Sequence, residues 1–134
     1  MATIETIYLG ELRTEATHVR SSKKLITDAP PDNQGKGESF SPTDLLAASL
    51  GSCAMTIIGI RARTNGFRVE GTRITITKIM AENPRRVAEV VVEFNFPENK
   101  YSEKQKEIIE NAARTCPVAM SLHPSLKQTM IFNF

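Results

Sequence analysis

Apolar and polar positions alternate with a short period at both ends of the chain and lose that alternation in a long apolar stretch between them. Residues 3–9, 12–19 and 24–28 are short runs rich in β-branched side chains, separated by Gly10 and by Ser21-Ser22, and predict a three-strand meander. Residues 29–40, APPDNQGKGESF, show no apolar period and carry prolines and glycines, so they read as a loop. That loop leads into the long stretch, which places its polar residues Asn33, Gln34, Lys36 and Glu38 near the start of the next element.

Residues 41–66, SPTDLLAASLGSCAMTIIGIRARTNG, read as one helix. Ser41 is a suitable N-cap, Pro42 fits the first helical position, and Asp44 stands where a capping box places its acidic or amide partner. Arg61 and Arg63 suit the negative end of the dipole, and Asn65-Gly66 supplies a left-handed stop. About 23 residues at 1.5 Å each make a rod of roughly 34 Å. It is apolar on nearly every side from Leu45 to Ile60, which predicts a helix buried all round. Its content of Ser, Thr and Gly, and the shortness of its uncharged run, argue against a membrane span. Small residues surround Cys53, and a second helix, from this chain or a partner subunit, is expected to cross there.

Beyond the helix, residues 72–82 and 86–96 predict a hairpin about Asn83-Pro84. Ala88, Val90, Val92, Phe94 and Phe96 fall on one face of the second strand. Ser102-Glu103-Lys104-Gln105 is a capping box that opens a helix running to about Arg114, with Ile108, Ile109, Ala112 and Ala113 inward. Cys116-Pro117 begins a short helix, CPVAMSL, and residues 127–134 form a closing strand with Met130, Phe132 and Phe134 on one face. The order β-β-β-α-β-β-α-α-β predicts a single α+β domain over residues 1–134, an antiparallel β-meander sheet packed on a long central helix.

Composition narrows the function classes. Seventeen Lys and Arg against fifteen Asp and Glu give a net charge of +2. The two signs are interspersed, so nothing points to nucleic acid or a membrane surface as partner. With no leader or repeat pattern, a reducing cytoplasm is the expected location. Two cysteines there are inert core thiols or they are chemistry. Cys116 stands at a helix start, where backbone N–H groups favour a thiolate and Arg114 could add to the effect. Cys53 is mid-helix, where the dipole helps little, so a reactive thiolate there needs a cation from elsewhere. Neither cysteine belongs to a Cys-x-x-Cys pattern, and His18 and His123 are far apart, so no metal site is expected.

The segments SPTDLLAASLGSC about Cys53 and TCPVAMSL about Cys116, with TDAPPDNQGKGESF before them, resemble the OsmC/Ohr family of osmotically induced and organic hydroperoxide resistance proteins, in its OsmC-like branch. The resemblance spans essentially the whole chain. It implies an OsmC-like intertwined homodimer whose long central helices pack together beneath sheets. It also implies a cysteine-based peroxidase acting on organic hydroperoxides near the subunit interface, with a dithiol reductant and no cofactor. Carried over by motif, Cys53 is the peroxidatic cysteine and Cys116 the resolving one. Family peroxidases place a Glu directly after the helix-opening Pro, where it orients an Arg against the thiolate. This chain has Thr43 there and Asp44 next, about 100° further round the helix. Asp44 and Glu38 are the acidic candidates. Arg20 is the basic candidate, with Arg13 and Lys36 as alternatives. A non-catalytic redox-sensing or small-molecule-binding dimer on the same scaffold is the alternative function.

Overall fold

The β-branched runs at the start of the chain form the expected meander. Strands β1 (Ile4–Gly10), β2 (Arg13–His18) and β3 (Lys24–Asp28) pair antiparallel in that order. The protein, described here by a computed structural model over residues 1–97 and 100–134, divides into two compact units, Met1–Leu46 and Ala47–Phe134. Helix α1 (Pro42–Thr64) begins in the first and continues through the second.

In the first unit, Gly10, Glu11 and Leu12 all take positive φ, which makes the β1–β2 turn tight. The 29–40 loop contains one turn of 3-10 helix, Pro31–Asn33, and folds back on itself. Gly37 donates to the Ala29 carbonyl at 3.1 Å. A Cβ at Gly35 would lie 1.7 Å from that same carbonyl oxygen, so only glycine allows the return. Ser41 and Asp44 form the predicted reciprocal cap on α1: the Asp44 N–H donates to Ser41 Oγ at 3.0 Å, and the Ser41 N–H to Asp44 Oδ2 at 2.9 Å. Throughout β1, apolar side chains stand exposed, Ile4, Ile7, Tyr8 and Leu9 among them.

In the second unit, β4 (Arg73–Ala81), β5 (Arg86–Asn95) and β6 (Lys127–Asn133) form a sheet in that order. Val90, Val92 and Phe94, on the predicted inward face of β5, are completely buried. One expectation is corrected: β6 pairs parallel to β5, not antiparallel. Helices α2 (Glu103–Arg114) and α3 (Pro117–Ser121) lie between these strands in the chain, and such a crossover returns the second strand in the direction of the first. The register puts Phe94 beside Phe132, with ring centroids 5.1 Å apart, and Phe96 stacks on Phe134 at the same spacing. Tyr101 closes this aromatic ladder edge-on and donates to the Arg68 carbonyl at 3.1 Å. Helix α2 opens on the predicted Ser102–Gln105 capping box and buries Ile109, Ala112 and Ala113.

Helix α1 is the element expected to be buried all round. Burial in this chain is confined to one stripe, Ala47, Leu50, Gly51, Ala54, Ile58 and Ala62, spaced three and four residues apart. The opposite side is not covered: Ile60 is 53% exposed. Within this chain one close approach at the small residues is made by a strand: a Cβ on Gly51 would sit 2.4 Å from the Ile76 side chain of β4. The helix stops at Gly66, whose φ of +73° lets the Phe67 N–H reach the Ala62 carbonyl at 3.0 Å.

Candidate active site

Two elements of the second unit bring the cysteines together. Cys53 projects from α1 between the buried positions Leu50 and Ala54 and is half-buried. Cys116 precedes α3 with extended backbone (φ −65°, ψ 153°) and is completely buried. Both are free thiols, and the Cys53 side chain lies near enough to influence the Cys116 thiol. Cys116 Sγ also accepts the Ala119 N–H at 3.4 Å, so the sulfur itself caps the short helix.

Local placement predicts a lowered Cys116 pKa, and the structure reverses this. Burial pushes the thiol above its ordinary value. The Ala119 N–H partly offsets that effect, while the neighbouring Cys53 thiol raises the pKa further. Arg114 does not aid the thiolate; its guanidinium lies 5.5 Å from the centroid of the Phe132 ring. Cys116 therefore holds its proton more tightly than an ordinary thiol.

The remaining predicted residues lie in the first unit. Arg20 is exposed in the turn after β2. Asp44 is engaged in the α1 cap, and Thr43, in the position of the family Glu, bonds through its hydroxyl to Ser41 Oγ at 3.2 Å. Glu38 pairs with Arg13 at 3.1 Å. Arg13 is the organised cation of this unit: its Nε and a terminal nitrogen reach Asp28 at 3.3 and 3.2 Å. Asp28 is completely buried and also accepts the Glu38 N–H at 2.9 Å. Arg13 holds the Asp28 carboxyl below the usual carboxylate range, helped by the Glu38 N–H, and the positive charge of Lys36 adds a smaller effect. Asp28 did not stand out in the sequence. Its one signal is its pairing opposite Arg13 at the ends of adjacent strands.

Among the described residues, no three His, Cys, Asp or Glu side chains gather to hold a metal. A cleft of about 480 Å³ lined by Phe67, Arg68, Glu70, Pro97, Tyr101 and Gln105 includes neither cysteine. What a pair of free, differently buried thiols can do chemically is exchange two electrons.

Comparison with known proteins identifies the family and the fold. The family model described as OsmC-like protein matches residues 35–130. A crystal structure from Psychrobacter arcticus 273-4, provisionally named an osmotic stress induced and detoxification response protein, is 51% identical, with a TM-score of 0.94 over 99% of this chain and 96% of that one. An organic hydroperoxide resistance protein OsmC from Legionella pneumophila shares the fold at 16% identity, with a TM-score of 0.76 over the full length of both chains. An OsmC like protein from Mycoplasma pneumoniae has a TM-score of 0.79 at 18% identity, over 97% of this chain and 94% of that one. No curated protein sequence matches this one. Two thirds of the chain's length under one family model, and a relative half identical along nearly all of it, lead to one conclusion: this chain belongs to the OsmC-like protein family.

Proposed function

We propose that this protein is a thiol-dependent peroxidase that reduces organic hydroperoxides through Cys53 and Cys116. The observation that carries the reading is the neighbouring pair of free thiols, contributed by α1 and by the residue capping α3. The name of the Legionella relative, an organic hydroperoxide resistance protein, supports it. The Cys53 thiolate attacks one peroxide oxygen. A sulfur–oxygen bond forms, the oxygen–oxygen bond breaks, and the alkoxide takes a proton and leaves as the alcohol. Cys116 then attacks the Cys53 sulfenic sulfur; the disulfide forms, and the hydroxyl leaves as water with the Cys116 proton. A dithiol reductant in a reducing cytoplasm returns two electrons and two protons by thiol–disulfide exchange.

The working unit in this reading is a homodimer. The exposed apolar side chains of β1 and the uncovered side of α1 support a second copy as the occupant, because such surface is costly to leave in water. Replacing Cys53 by serine should abolish peroxide consumption. Replacing Cys116 should leave Cys53 oxidisable, to sulfenic or higher acids, without an intramolecular disulfide. Full activity in Cys53→Ser overturns the proposal.

One observation favours a second reading. Asp44, the acidic residue nearest the family Glu position, is engaged in the helix cap. A non-catalytic redox-sensing or small-molecule-binding dimer would then show hydroperoxide reduction no faster than that of a free thiol, together with ligand-dependent stabilisation.

A further inference from the structure

We propose that Gln128 is a positioning residue for disulfide closure, acting through the backbone of Ala119; this rests on the Cys53/Cys116 reading above. On β6 the inward register runs through Met130, which is buried, and Gln128 continues that register with a polar side chain. A polar amide at such a position is costly unless it is bonded. Its Nε2 donates to the Ala119 carbonyl at 3.0 Å. Helix α3 ends at Ser121, so that carbonyl is one of the terminal acceptors with no helical donor of its own.

The backbone of Ala119 is thus held on both sides of its Cα, its N–H donating to Cys116 Sγ at 3.4 Å and its carbonyl accepting from Gln128. Gln128 pairs in register with Val90, which is completely buried on the central strand β5. The sheet therefore sets the position of the Cys116 sulfur through the backbone of one residue, Ala119. Closure requires that sulfur to meet the Cys53 sulfur along the bond being broken, a step sensitive to small misplacement. Gln128 exchanges no atoms or electrons in it.

The test separates closure from the step before it. Gln128→Met keeps the side chain's length and removes the donor. Gln128→Glu can donate only when its carboxyl is protonated. Cumene hydroperoxide serves as oxidant, with stopped-flow monitoring and mass detection of dimedone-trapped sulfenic acid. Gln128→Met is expected to oxidise Cys53 within twofold of wild type but to close the disulfide about tenfold more slowly, with more trapped sulfenic acid. The deficit of Gln128→Glu against wild type at the same pH should shrink from pH 8 to pH 5. A second arm needs no peroxide. Ellman's reagent loads Cys53 as a mixed disulfide, and Cys116 attack releases the second thionitrobenzoate. That release should slow by the same factor. Wild-type closure rates in folded Gln128→Met, or equal slowing of oxidation and closure, would overturn the role of Gln128. If wild-type Cys53 ignores cumene hydroperoxide while the Ellman closure still depends on Gln128, the peroxidase reading fails and the positioning role stands.

Discussion

Replacing Cys116 by serine and by valine separates the two roles of this sulfur. It caps α3 by accepting the Ala119 N–H, and it faces the Cys53 thiol from a fully buried position. Serine keeps the cap, since its hydroxyl is among the best N-cap acceptors, and the same two partners satisfy the buried oxygen. Its stability cost should stay below about 1 kcal/mol. Valine fills a similar volume but accepts nothing. It leaves the Ala119 N–H unpaired, at a cost of about 1–2 kcal/mol. In urea, with a slope near 2 kcal/mol per molar, the valine midpoint should fall by about 0.5–1 M and the serine midpoint by less than half of that. Both variants should lose the intramolecular disulfide completely. Equal destabilisation by serine and valine would refute the cap, and a wild-type protein that itself stops at the Cys53 sulfenic acid would refute the pairing.

Raising the pH should destabilise the fold through Cys116. Its folded pKa is raised, so above about pH 9 the native state holds a proton that the unfolded chain has released, and stability falls with pH by up to one proton's linkage; Cys116→Ser should lack that slope in alkaline urea titrations. For Asp28 the sign is opposite. Its folded pKa is lowered, so its contribution is present above the unfolded value near 4 and lost as pH falls through the folded one. Asp28→Asn should remove this acid dependence and speed exchange of the Glu38 amide in hydrogen-exchange measurements. Phe94→Ala empties a fully buried site stacked on Phe132 and Phe96. It should cost about 3–5 kcal/mol, lowering Tm by roughly 10–18 °C in a scanning calorimeter.

Local patterns made much of this fold legible. Ser41 with Asp44, and Ser102 with Gln105, mark helix starts by their own hydrogen-bonding chemistry, and the alternation through Val90, Val92 and Phe94 marks a buried strand face. What was hidden depends on partners distant in sequence. Period-two alternation tells which face of β6 is inward but not which strand it joins, so its parallel pairing to β5 was out of reach. Nothing in the sequence marks Asp28 as buried, because the Arg13 guanidinium that makes its burial tolerable comes from another strand. The Cys116 pKa was misjudged because the helix start is visible in the sequence and complete burial is not. The two cysteines could be associated only through the family resemblance. Spacing alone says nothing about the meeting of α1 and the α3 cap.

The central claim is that Cys53 and Cys116 act as one two-electron unit toward hydroperoxides. Intact mass spectrometry of the reduced protein, seconds after one equivalent of cumene hydroperoxide and in parallel with hydrogen peroxide, tests it most directly. The account predicts loss of two hydrogens per chain, faster with the organic peroxide, and none in Cys53→Ser. Two untouched thiols per chain would contradict it.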